Sequence, residues 1–552
     1  MGTSKNERVV RTSFVAPNTS MFEIGRGRSA MKDPLGSGRR SELRVLRSPW
    51  RSLCPYSVEP AWADLRRGAE HFPDKIALID AAGTRSTYRD LWEGARRVAA
   101  LLQREANLAP GETVALGAAA TRELVVAMYG AFLAGARVTT FNAKLKEREL
   151  LVQLTDANAV VAVAPAPCWW TIEQLAILGE LDNVRWIRAL ENIWELQKAE
   201  RHDPEAVVID PLRDIALLPY SSGTSGLPKG VMLTHANLTA SSRQLAATGW
   251  VTPDSIVMTL RLFSNSIRLV FAQGATAIAQ SWLEADKTLA MLGAHHASHL
   301  MVRPTYLRQL AGRALSSPQA APTLRVIETG GEPLPPSTAS LAERAFHCPV
   351  VQAYHLTETG GAANRVPLGE VNAASVGCPV PDTEERIIIP GTDADVATGE
   401  IGEVLIRGPQ VAVGYWNQPE ATAATFGPEG WMRTGDLARQ DARGHLVIVG
   451  RMKEMLKVGG LQVAPAEVEA ALLEHAAVAD VVVVPMRSPR YGEVPRAYVV
   501  LRPGREVSGA ALIAHAADRL AEHKHLRRVD VVSELPRGPG GKVQRSGLRS
   551  RD

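Results

Sequence analysis

From Val58 onward the chain alternates helix-patterned and strand-patterned segments, and this alternation constrains the fold of its 552 residues more than any other feature. Amphipathic stretches such as Ala61 to Phe72 and Tyr88 to Glu105 are interleaved with short runs: Lys75 to Asp80, Thr113 to Gly117, Arg137 to Phe141, Val160 to Val163 and Val184 to Ile187. Such an order covers its apolar faces when the strands lie parallel and the helices pack across them. The expected class is therefore α/β, with a large N-terminal domain of helix-covered, mainly parallel sheets. Hydrophobic residues at 45% supply material for that core, and charged residues at 22% argue against a disordered, collagen-like or coiled-coil chain. No fixed-period repeat is visible.

The two ends read differently. Residues 1–51 scatter Arg26, Arg28, Arg39, Arg40, Arg44, Arg47 and Arg51 among Gly and Ser, which reads as a flexible basic leader. A targeting peptide is the alternative, but Glu7, Glu23, Asp33 and Glu42 interrupt it, and Met21 and Met31 would permit a later start. The large domain is expected over 52–450, a hinge at 451–453, and a small α+β domain over 454–552. The small domain is read as helix Ala466 to His475, strands Val478 to Val484 and Ala497 to Leu501, and helix Ala510 to His523.

Charge and cysteine usage narrow the function classes. Lys plus Arg total 62 against 58 Asp plus Glu, a formal +4, so no strong field directs the chain to nucleic acid or an anionic membrane. No stretch reaches the roughly 18 apolar residues of a membrane helix. The longest uncharged run, Ala157 to Ile172, carries two prolines and reads as a buried strand and its following turn. Cys54, Cys168, Cys348 and Cys378 lie far apart, forming neither a zinc-type CxxC pair nor a disulfide framework. A reduced, cytoplasmic setting is expected.

The segment richest in chemistry is Leu218 to Asn237, LPYSSGTSGLPKGVMLTHAN, where a short strand breaks into Ser, Thr and Gly with one Lys. Gly223 and Gly226 let backbone N–H groups converge on phosphate oxygens. The hydroxyls of Ser221, Ser222, Thr224 and Ser225 donate further bonds, and Lys229 supplies charge. A solvated Ser/Gly linker is the plainer alternative, opposed by the flanking strands. A Walker A loop needs Gly before its Lys and Ser or Thr after it, whereas Lys229 lies between Pro228 and Gly230.

This loop resembles the phosphate-binding motif of the adenylate-forming superfamily, in its acyl-CoA synthetase and 4-coumarate:CoA ligase branch. The resemblance spans roughly Ala61 to Arg549, with further motifs in the expected order. Thr329 to Pro335, TGGEPLP, resembles the adenine-side loop through Gly331, Glu332 and Pro333. Gln352 to Glu358, QAYHLTE, resembles the next motif: Gln352 and Ala353 lead in, Tyr354 lies against adenine, Thr357 contacts phosphate and Glu358 helps hold magnesium. In Trp431 to Leu437, WMRTGDL, the resemblance makes Asp436 the acceptor of both ribose hydroxyls. Gly450 to Gly460, GRMKEMLKVGG, resembles the interdomain hinge, with Arg451 touching ribose or phosphate and Lys453 as the pivot. Lys457, Gly459, Gly460 and Gln462 match the segment that the pivot brings to the active site for thioester formation; a tight hairpin is the plainer reading. Leu535 to Val543, LPRGPGGKV, resembles the PRxxxGK loop and makes Lys542 the cation between the incoming carboxylate and the α-phosphate. Singly, these motifs also read as ordinary turns; their order carries the resemblance.

The resemblance implies an enzyme using ATP, Mg2+ and CoA that activates a small carboxylic acid as an acyl adenylate, releases pyrophosphate and passes the acyl group to a thiol. Positioning and electrostatics suffice for this chemistry, so no covalent nucleophile is needed. A carrier-protein phosphopantetheine is the alternative acceptor. A degenerate nucleotide-binding protein is the alternative class, opposed by the presence of Lys229, Glu358, Asp436, Arg451 and Lys542 together. Two departures stand out. Where the branch commonly carries PFFHxxG, Arg261 to Ile267 reads RLFSNSI, and His355 replaces a usual glycine. Arg261 or Arg268 is then a candidate partner for a second anionic group on the acid, with a surface-facing arginine as the alternative.

Overall fold

The computed structural model describes residues 44–221, 228–260, 265–280, 284–316, 321, 323–537 and 543–549. Four sheets organise them. In the first, the strands Ile215–Leu217, Arg137–Phe141, Thr113–Gly117, Ala159–Ala164 and Trp186–Ala189 run parallel, and Lys229–Thr234 pairs antiparallel with Ile215–Leu217. In the second, Ile76–Ile79, Thr276–Ala279, Ile256–Thr259, His299–Val302, Val326–Gly330 and Val350–Leu356 are parallel neighbours, continued antiparallel by Gly361–Arg365. Ala159–Ala164 is buried along its whole length, as a parallel strand covered on both faces should be.

Helices pack between these sheets because their sequences cap and bury well. Tyr88–Glu105 begins with a capping box formed by Thr87 and Asp90, and its Tyr88 packs edge-on against Phe271 in the main core. The third sheet is antiparallel, in the order Leu46–Arg47, Glu384–Ile388, Gly402–Arg407, Met432–Gln440 and Leu446–Arg451. A single turn, Met452–Glu454, leads from it into the fourth sheet, built from Leu456–Val458, Leu461–Val463, Val478–Ser488, Gly492–Leu501 and Arg528–Val531. The molecule is thus α/β, with a large N-terminal body and a smaller C-terminal α+β part.

Several expected boundaries move. Part of the segment expected to be a leader up to residue 51 belongs to the fold: Leu46–Arg47 pairs with Glu384–Ile388, and just beyond it Asp382 accepts bonds from Ser52, Leu53 and Tyr56. Residues 1–43 lie outside the described residues. The strand expected from Val184 starts at Trp186. The uncharged run from Ala157 continues past its turn into the helix Cys168–Ile177. The last long helix, Gly509–Ala517, ends short of His523, and a separate turn, Glu522–Lys524, precedes the buried Leu526 and the strand Arg528–Val531. All four cysteines are free thiols. Among the described residues no helix is long and apolar enough to cross a membrane.

Candidate active site

Parallel strands end together, and the loops that leave their carboxyl ends form a crevice. Here His299–Val302, Val326–Gly330 and Val350–Leu356 deliver Arg303, Gly331 and Thr357 to one cleft of about 2630 Å³, whose other walls come from the remaining three sheets. Gly331 has φ +80, a conformation that a side-chain-bearing residue rarely adopts. At the neighbouring Gly330, a Cβ would lie 2.3 Å from the Ala353 carbonyl oxygen, so the two strand ends approach only because it is glycine. Glu332 accepts a bond from the Thr305 hydroxyl at 2.7 Å, Pro333 lines the cleft, and Gln352 donates to the Ala373 carbonyl at 2.6 Å.

One end of the cleft holds a buried carboxylate, Asp436, that accepts from two side chains. Antiparallel pairing puts Asp436 opposite Arg451, and the Arg451 Nε donates to Asp436 Oδ1 at 2.7 Å. The buried Tyr354 hydroxyl donates to Asp436 Oδ2 at 2.5 Å. Burial pushes the Asp436 carboxyl up from its ordinary value, and the Arg451 charge and the Tyr354 bond oppose that rise. Tyr354, Asp436 and Arg451 thereby form one polarised unit.

Elsewhere in the cleft, Ser221 and Lys229 pair across the short strands Tyr220–Ser221 and Lys229–Thr234, which flank the glycine-rich segment. Ser222, Gly223, Thr224, Ser225 and Gly226 lie outside the described residues. The Lys229 ammonium sits 4.8 Å over the Tyr415 ring, and the Tyr415 hydroxyl donates to Glu358 at 2.9 Å. Tyr415, which the motifs do not announce, therefore links the cation to the candidate metal carboxylate. Among the described residues no cluster of three or more His, Cys, Asp or Glu side chains could hold a metal. One carboxylate, Glu358, fits magnesium only in its common mode, with phosphate oxygens and water completing the shell.

The small C-terminal part contributes two segments with different fates. Arg537 and Val543 form a bridge at the base of the loop that carries Lys542, and Arg537, Val543, Gln544 and Arg545 all line the cleft. Arg537 pairs with Asp480, and Arg545 bonds Glu469 at 2.5 Å. Lys542 itself lies outside the described residues. Lys453, in the linking turn, lines the same cleft. Lys457 and Gln462 do not. They face each other in a hairpin whose two-residue turn is Gly459 and Gly460, with φ +56 and +85. The exposed Lys457 instead borders a separate shallow surface groove with Arg487 and Glu493. In this arrangement Arg537 and Val543 line the cleft, and the Lys457 hairpin does not.

The departures resolve unevenly. Arg261 lies outside the described residues. Arg268 serves neither a second substrate anion nor the surface: it is 3% exposed and bonds Asp64 at 2.8 Å, so its charge is spent inside the core. His355 does line the cleft.

Comparison with known proteins places this geometry. The family model described as AMP-binding enzyme matches residues 65–416, and that of the AMP-binding enzyme C-terminal domain matches 467–542. The chain is 33% identical to 4-coumarate-CoA ligase of Pinus taeda over 87% of its own length and 92% of that protein. It is 31% identical to 4-coumarate-CoA ligase 5 of Oryza sativa subsp. japonica, over 87% and 92% respectively. The solved benzoate CoA ligase of Burkholderia xenovorans LB400 superposes with a TM-score of 0.79 at 29% identity, covering 89% of this chain and 100% of that one. With two family models matching in order and CoA ligases among its relatives at 31–33% identity, the chain belongs to the AMP-binding enzyme family, in its acyl-CoA ligase branch.

Proposed function

We propose that the chain joins a carboxylic acid to CoA in two half-reactions carried out in this one cleft. In the first, a carboxylate oxygen attacks the α-phosphorus of ATP, and the bond to the bridging oxygen breaks as pyrophosphate leaves. In the second, the CoA thiol, having lost its proton, attacks the acyl carbonyl and AMP departs with the bonding electron pair. The observation that carries this reading is the Tyr354–Asp436–Arg451 unit lining the same cleft as Ser221, Lys229, Thr357 and Glu358.

The roles follow from chemistry. Asp436 accepts from the ribose hydroxyls, while Gly331, Glu332 and Pro333, with Gln352, Ala353 and Tyr354, wall the adenine. Ser221 to Gly226, Lys229 and Thr357 bind phosphates. Glu358 holds magnesium, which when bound neutralises phosphate charge. Lys542 places an ammonium between two anions, which stabilises the charge that builds as pyrophosphate leaves. Rotation about Lys453 then exchanges the Lys542 loop for the hairpin of Lys457, Gly459, Gly460 and Gln462. On this reading 52–450 is the nucleotide domain, 451–453 the hinge and 454–552 the moving domain. Four free cysteines favour a reducing compartment such as the cytoplasm.

The test is incubation with ATP, magnesium, CoA and a broad acid mixture, with thioesters identified by mass and pyrophosphate measured in parallel. Acyl-CoA with stoichiometric pyrophosphate is expected. Pyrophosphate release with transfer to a carrier-protein phosphopantetheine but never to CoA would change the acceptor, and absence of acid-dependent pyrophosphate release would end the reading.

A further inference from the structure

The surroundings of Tyr415 hold it in one place. On the short strand Gly414–Tyr415 it pairs opposite Val231, so Lys229, two residues before Val231, is its diagonal neighbour on the same face of the sheet. The Trp416 amide extends that pairing by donating to the Gly230 carbonyl at 2.8 Å. The Tyr415 amide donates to the Thr422 hydroxyl at 2.9 Å, and its ring meets Phe426 edge-on at 5.4 Å. The Ala412 amide donates to the Glu358 carbonyl at 2.8 Å, so the main chain also ties this segment to Glu358.

So fixed, the side chain touches two groups of opposite charge. The Lys229 ammonium lies 4.8 Å over its ring, and its hydroxyl donates to Glu358 Oε1 at 2.9 Å. A carboxylate accepts along several lone-pair directions, so this bond sets the orientation of Glu358 while leaving it able to hold a cation. The two contacts strengthen each other. Donation to an anion draws electron density into the phenol, which deepens the negative face beneath the ammonium. A lysine already seated on a ring also loses less side-chain entropy when an anion arrives. All three side chains line the one cleft.

We infer that Tyr415 is a positioning residue that sets Glu358 for magnesium through its hydroxyl and Lys229 for the phosphates through its ring, so that metal and nucleotide are gripped together. The inference rests on the ligase reading above, which assigns Glu358 and Lys229 those partners, and adds the residue that couples them. A tyrosine that only filled space would need its ring alone. Here the hydroxyl matters separately, because partners that orient a metal ligand tune its affinity for the metal.

The test is calorimetric titration with ATP, once with excess magnesium and once with the metal removed by EDTA, so that binding is read without turnover. Tyr415→Phe keeps the ring and loses the hydroxyl. Without metal it should bind ATP as the unaltered protein does, while the factor by which magnesium tightens binding should fall ~10-fold or more. The magnesium concentration giving half-maximal ATP binding, read in parallel, should rise correspondingly. Tyr415→Leu loses the ring too, and metal-free ATP should then bind about 3- to 10-fold more weakly. In a Glu358→Gln background, Tyr415→Phe should have no further effect on the magnesium factor, because the hydroxyl acts through that carboxylate. A magnesium factor unchanged by Tyr415→Phe, an equal fall in both backgrounds, or full-strength metal-free binding by Tyr415→Leu overturns the inference and leaves the ligase reading intact. Should Tyr415→Leu fail to fold, Tyr415→Phe, which loses only one hydroxyl, still decides. Absence of ATP binding by the unaltered protein, with and without magnesium, overturns the ligase reading and this inference with it.

Discussion

On the proposed reading, nucleotide recognition turns on Asp436. It is 3% exposed, and its two oxygens accept from Tyr354 and Arg451. A hydrogen bond to a charged group contributes about 1.5–3 kcal/mol, so Asp436→Asn should raise the KM for ATP by roughly 10- to 100-fold. Steady-state kinetics at saturating acid check this, and an unchanged KM would place the ribose elsewhere. At this scale the short motifs singled out side chains that do come together in the fold, Tyr354, Asp436 and Arg451. The sequence was silent where a partner comes from far away. Tyr415 is 57 residues from Glu358, Arg365 is 37 from Glu328, and Arg268 is 204 from Asp64. A lone arginine in a sequence does not reveal whether its carboxylate partner is substrate or core.

Among elements, the apolar parallel strands declared themselves, because a strand buried on both faces is an uninterrupted run. Glu384–Ile388 did not, since it opens with charged residues: Glu385 is wholly buried, and Arg386 is buried against Asp395. Asn364 donates to Glu385 at 3.1 Å, but burial pushes the Glu385 carboxyl up to about 8. The folded chain therefore keeps a proton that the unfolded chain releases near pH 4.5. The stabilising contribution is full below that pH and is lost as pH rises toward about 8, with a slope of up to ~1.4 kcal/mol per pH unit. Melting curves should show the unaltered protein losing stability relative to Glu385→Gln between about pH 5 and about pH 8. A pH-independent difference would mean that Glu385 is charged in the fold. The hairpin of Lys457 and Gln462 presents the reverse lesson: Gly459 and Gly460 identify the turn from sequence, but not which surface it serves.

For the whole molecule, the arrangement of the small C-terminal part is what relates one cleft to two reactions. Arg308, on the helix Pro304–Ala314, donates to the Val478 carbonyl at 3.0 Å, tying the large body to the small part. In this position Arg537 and Val543 line the cleft and Lys457 does not. No local motif encodes such an orientation, because it depends on contacts across the two parts. The most direct measurement assays Lys542→Ala in each half-reaction separately: acid-dependent ATP/pyrophosphate exchange, and thioester formation from CoA and a supplied acyl adenylate. The account predicts that exchange falls by at least ~10²-fold while transfer from the supplied adenylate persists. Exchange at the unaltered rate would contradict it.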